Sequence, residues 1–261
     1  MNIQKRLFSL TKYNLKLLFR DKSSVLMAFL MPIGFYILFG YMLQNVEFSG
    51  SALSDLLVPL YIIIIIGNAV ISVFGAFYVQ AKESGNLQKF KFMGVNELCF
   101  SITLFIATFI FQLVVILAFV IFTYFYNATV FPMQHLFPIV ITILVIEIFH
   151  FAITFFLTSM LRKASIYNPI SLAFYMFQMF LGGLTFPIEM FPQFLQKLVY
   201  YINPIVYGRN ALLAAWTNNP AMGNVVKDNL ILLCISLGLV LVSIAIQRFI
   251  FAQKTSAALA H

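Results

Sequence analysis

Residues 98–126 read LCFSITLFIATFIFQLVVILAFVIFTYFY, a run without a single Asp, Glu, Lys or Arg. A helix rises about 1.5 Å per residue and a bilayer's hydrocarbon core is about 30 Å thick, so about 20 apolar residues are enough to cross it. Five further runs meet the same test, at Ser24–Val46, Ser54–Val79, Phe137–Leu161, Ile166–Thr185 and Asn229–Phe251. The chain therefore reads as all-α and polytopic, with six spanning helices. Its composition agrees: of 261 residues 62% are hydrophobic and only 9% charged, with a mean hydropathy of +0.97. Soluble domains carry about a quarter charged residues. No Gly/Ser linker or charge run divides the sequence, so one transmembrane domain is expected over residues 23–261.

The net charge of +8 has a topological reading. Lys5, Arg6, Lys12, Lys16, Arg20 and Lys22 precede span one. Lys82, Lys89 and Lys91 follow span two, Arg162 and Lys163 follow span four, and Arg248 and Lys254 follow span six. All of these fall on one side, leaving only Lys197, Arg209 and Lys227 opposite. The positive-inside rule then puts both termini in the cytoplasm. Charge spread between apolar runs does not make a nucleic-acid surface.

Residues 1–22 differ in kind from the spans. Leu7, Leu10, Asn14, Leu17 and Leu18 recur at helical spacing, with Lys5, Lys12, Lys16 and Arg20 on the other side. A basic amphipathic helix of this sort lies in the membrane interface. No small-residue cleavage site follows it, so a cleavable leader is not expected.

Chemistry is excluded more readily than it is assigned. There is no G-x-x-x-x-G-K-[ST] phosphate loop, no G-x-S-x-G elbow and no HExxH pair. His135, His150 and His261 are far apart, and Cys99 and Cys234 each lie in an apolar run, so neither a metal site nor a disulfide framework is expected.

Within the membrane, Glu147 and His150 are three residues apart on span four and so share a helical face. An intramembrane charge must face protein or water. A structural hydrogen-bonded pair, a substrate contact and a proton-sensitive element all remain open for them. On span five, Asn168, Ser171, Tyr175, Gln178 and Gly182 form a narrow polar seam, and span two has a shorter one in Asn68, Ser72 and Gly75. Such seams pack helices together or line a path.

Two connecting segments complete the pattern. The loop AKESGNLQKFKFMGV at residues 81–95 joins spans two and three. Lys82, Glu83, Lys89, Phe90, Lys91 and Phe92 suit a short helix docking in a partner's groove. After span five comes FLGGLTFP at 180–187, then FPQFLQ at 191–196 and YINPIVYGR at 201–209. Proline interrupts this stretch too often for a plain span, yet it is too apolar for a free loop. A re-entrant or interfacial helical hairpin over 186–207, shielded by neighbouring protein, satisfies both constraints. Gly182, Gly183, Pro187, Pro192, Pro204 and Tyr207 are its marker residues.

Taken in order, the basic lead-in helix, Met31-Pro32-Ile33-Gly34, the 81–95 loop and the Gly182–Tyr207 series resemble the ABC-2-type permeases, the membrane subunits of type-2 ABC exporters. The resemblance covers nearly the whole chain. It implies that residues 81–95 couple to cytosolic ATPase subunits, and that ATP and Mg bind on that partner rather than here. It further implies that spans two and five lie near the interface with a second permease, identical or similar. Cargo would then be a hydrophobic or amphipathic drug, peptide or lipid exported across the cell membrane. An ion-coupled carrier or channel using Glu147 and His150, or a non-transporting scaffold, is the alternative.

Overall fold

A computed structural model describes residues 3–43, 47–48, 51–92 and 94–259. Val46 at the end of expected span one, Met93 of the 81–95 loop and His261 lie outside the described residues. The elements are α1 (Ile3–Arg20), α2 (Lys22–Met42), β1 (Glu47–Phe48), β2 (Ser51–Ala52) and α3 (Leu53–Gly67). A π-helical segment (Asn68–Phe74) continues α3 directly into α4 (Gly75–Glu83). Then follow α5 (Asn86–Phe92), α6 (Glu97–Asn127), α7 (Leu136–Met160) and α8 (Ala164–Leu181). The chain closes with α9 (Gln193–Ile202), α10 (Ile205–Thr217) and α11 (Val225–Leu259). The small antiparallel pair β1–β2 matches Glu47 with Ala52 and Phe48 with Ser51.

Five helical stretches are long and apolar enough to cross a membrane: Val25–Met42, Leu56–Glu83, Glu97–Asn127, Met133–Met160 and Pro220–Arg248. The run expected as a sixth span, Ile166–Thr185, falls on α8, a helix of 18 residues that is not among these five. Its polar seam and internal Pro169 make it less apolar than the other five. The protein is thus an all-α membrane protein, and five of its helical stretches coincide with runs read from sequence.

The five stretches differ sharply in where they sit. Leu56–Glu83 is 89% buried inside the protein, against 22% for Pro220–Arg248. The α3–π–α4 helix is therefore the axis, and the other helices wrap it. Lipid tails are as apolar as leucine, so burial among helices gains little hydrophobic energy; close packing and interhelical hydrogen bonds must hold the bundle. Tyr36 of α2 is fully buried among Tyr61 and Phe119, with edge-to-face contacts at 6.0 and 5.5 Å. Asn229 donates to Thr142 at 2.9 Å and so pins α11 to α7.

Helix α1 packs along α6. Asn14 is buried and donates to Thr103 at 3.2 Å, while Leu18 is fully buried. Phe8 and Tyr13 face outward.

The π-helical segment has a local cause. Gly67 and Gly75 bracket it, and both allow close approach of neighbours. A side chain at Gly75 would collide with the Tyr167 hydroxyl, and one at Gly67 would meet His150 Nε2 at 3.1 Å. The wider turn leaves backbone carbonyls free for outside donors. Tyr167 takes one, donating to the Ile71 carbonyl at 2.7 Å.

Candidate functional site

The segment after α4 turns sharply, because Gly85 has a φ of +69° that side chains disfavour. Helix α5 starts there and buries none of its residues. Gly94, at φ +76°, ends the turn that follows it, and Asn96 caps α6 by accepting from the Cys99 amide at 2.7 Å.

The six residues expected to meet a partner divide into two groups. Lys82 is engaged within the chain, bridging to Glu97 at 2.9 Å and lying over the Tyr78 ring at 5.0 Å. Tyr78 also donates to Glu97 at 2.7 Å, so the three side chains tie α4 to α6. Glu83 accepts from the Ala164 amide at 2.7 Å, joining the end of α4 to the start of α8. Phe90 is half-buried and stacks on Phe100 at 5.3 Å. Lys89, Lys91 and Phe92 point outward, and Phe92 is 93% exposed. Residues 82, 83 and 90 thus brace a platform, and 89, 91 and 92 form its free face.

The polar seams also divide. Ser72, Asn168 and Ser171 come together around a cleft of about 300 Å³, with Asp21 and Gln80 also on its wall. Tyr175 and Gln178 turn inward instead and are buried. Tyr175 packs beside Gly67, and Gln178 approaches the His150 ring without a hydrogen bond of good geometry. Asn68 is half-buried and does not line the cleft.

Glu147 and His150 are both buried but bond to different groups. Glu147 Oε2 accepts from the Gln112 amide at 2.6 Å. His150 Nδ1 lies 2.8 Å from the Ile146 carbonyl of its own helix, which makes that nitrogen the donor. Each is thus held by its own partner, Gln112 on α6 or the α7 backbone. The described residues contain no group of three or more His, Cys, Asp or Glu side chains able to hold a metal. Cys99 is half-buried rather than buried, and Cys234 is exposed.

At the opposite end from α5, Gly182, Gly183, Pro187 and Asn203 are buried, and Pro192 is exposed. Gly183 has a φ of +68°. Arg209 is 3% exposed and donates from Nε to the Gly183 carbonyl at 3.0 Å and from Nη1 to Asn210 at 3.0 Å. Pro204 begins α10, where its missing N–H costs nothing. Tyr207 is half-buried near Tyr200, with ring centroids 5.9 Å apart. Burial raises its phenol above the ordinary value, and the negative charge of Asp228 adds to the shift. Helix α9 is amphipathic, with Val199 buried and Phe194 and Tyr201 exposed. Helix α10 runs on to Thr217 and is buried along most of its length, so the protected stretch extends beyond the expected limit at residue 207.

Sequence reasoning did not single out Tyr78, Asn96, Glu97, Gln112 or Tyr167, nor a structural role for Arg209. The four-residue spacing of Tyr78 and Lys82 was a usable signal for the first. Asn96, an N-cap type directly before an apolar run, also had a local signal, whereas Glu97, Gln112, Tyr167 and Arg209 act across longer sequence separations and had none.

A sequence model of the ABC-2 type transporter family matches residues 5–216. No curated protein matches the chain.

Proposed function

The chain belongs to the ABC-2 type transporter family as a membrane permease, and from that premise we propose that it is the export subunit of an ATP-driven transporter for hydrophobic or amphipathic cargo. The supporting observation is the short helix α5, with an outward Phe92 beside Lys89 and Lys91, packed on α6 through Phe90 and following an α4 end that is tied to α6 and α8. An exposed aromatic flanked by cations is a suitable anchor for a groove on a cytosolic ATPase. ATP and Mg would bind there, on a separate chain. Movement of α5 would pass through Lys82–Glu97 and Glu83–Ala164 into three long helices at once.

In this reading α1 lies at the cytoplasmic interface, both termini are cytoplasmic, and α9–α10 seals the outer end at the cell membrane. A second permease, identical or similar, packs against the face that carries Ser72, Asn168 and Ser171. ATP supplies the bias between states that hold cargo differently.

The test is co-purification in mild detergent from native membranes, with wild type and the Lys89→Ala/Phe92→Ala double variant. Wild type brings down a P-loop ATPase and the variant does not. Recovery of the ATPase with both would move the docking site elsewhere, and recovery with neither would remove the ATP-driven reading.

A further inference from the structure

A second cavity, of about 760 Å³, lies between α4, α6, α7 and α11 and shares no lining residue with the Ser72–Ser171 cleft. A third of its lining residues are aromatic: Phe74, Tyr78, Phe105, Phe151 and Phe155. The rings brace one another, with Phe105–Phe151 at 4.3 Å and Phe74–Phe151 at 5.0 Å. On α7 the groove runs from Glu147 to Thr158, roughly 16 Å at helical rise. Leu98, Ile102 and Ile148 at its border are exposed, so it opens toward the lipid.

Glu147 lies at one end of this groove and is 3% exposed. Gln112 occupies one of its oxygens, while Oε1 has no hydrogen-bond donor among the described residues. A buried carboxylate oxygen without a partner is costly, and a lipid tail in the groove would leave it so. The other acidic residue on the wall, Glu97, is already paired with Lys82 and Tyr78. The groove therefore has a carboxyl with one unmet oxygen at one end and π faces along its length. That combination suits an ammonium group carrying an apolar body.

We propose that this groove binds a lipophilic amine entering from the membrane, with its N–H donating to Glu147 Oε1 and its hydrocarbon part lying on Phe105, Phe151 and Phe155. The polar head sits deep and the apolar part faces the bilayer. Binding requires only this chain, so it stands or falls separately from the ATPase reading.

The test uses the full-length chain in phosphatidylcholine nanodiscs, with a radiolabelled arylalkyl primary amine and its N-acetyl derivative as probes. Saturable amine binding is expected, with the acetylated probe roughly tenfold or more weaker. Glu147→Gln lowers amine affinity to the level of the acetylated probe and leaves the latter unchanged. Val240→Trp, which fills the groove from α11, weakens amine binding while leaving Glu147 in place. It serves as the deciding variant if Glu147→Gln does not give a monodisperse protein. Equal affinity for the two probes, non-saturable uptake alone, or amine binding unchanged in either folded variant would overturn the proposal.

Discussion

At one end of the molecule α5 sits outside the bundle with no buried residue, while at the other α10 buries Arg209 and most of its own length. Both follow a glycine in the left-handed region, Gly85 in one case and Gly183 in the other. The α9–α10 end is satisfied by its own chain: Arg209 bonds the Gly183 carbonyl, and Ile188, Val199 and Val206 form a small core. The α5 end is satisfied only from behind, leaving Lys89, Lys91 and Phe92 without a protein surface to meet. One end is a closed element of the fold, and the other is an exposed one.

Substitutions at the two ends should therefore separate stability from coupling. The largest loss is expected for Arg209→Met, which keeps the volume but leaves the Gly183 carbonyl without its donor. About 2–3 kcal/mol should be lost, seen as a lower melting temperature in detergent. A melting temperature equal to wild type would mean that the α9–α10 end is not locked through Arg209. Glu83→Ala removes the acceptor at the start of α8 and should cost about 1 kcal/mol. Glu83→Gln, which retains an acceptor oxygen, should recover part of that in the same thermal assay. The smallest effect on stability is expected for Phe92→Ala, within about 0.5 kcal/mol, because its ring touches little. Its effect should appear in ATPase recovery alone. A Phe92→Ala protein that melts early would show the ring to be part of the fold and would dissolve the contrast between the ends.

Much of the architecture was legible from apolar run length, because a bilayer imposes one requirement on every crossing helix. The order of burial was not. Leu56–Glu83 and Pro220–Arg248 are almost equally apolar, yet one is the axis of the bundle and the other faces lipid. Hydropathy cannot separate a helix in protein from a helix in lipid. The useful marks were small and polar residues: Gly67 and Gly75 on the axial helix, where His150 and Tyr167 come close.

The seam on span five was visible as a periodicity, but its division, with Asn168 and Ser171 on the cleft and Tyr175 and Gln178 turned inward, depends on the helices packed against it. Glu147 and His150, three residues apart on α7, are both buried. The partner of Glu147, Gln112 on another helix, depends on tertiary packing, whereas His150 bonds a carbonyl of its own helix. The expected hairpin stops at residue 207 because proline and glycine dominate to that point. The run Ala211–Trp216 that continues it is buried throughout.

Site-specific photo-crosslinking from the two ends tests the central claim most directly. A benzophenone amino acid is placed at position 92 in one variant and at position 194 on exposed α9 in the other, in native membranes. The account predicts a covalent adduct with a P-loop ATPase from position 92 and none from position 194. An ATPase adduct from position 194, or none from position 92 while the ATPase still co-purifies, would contradict it.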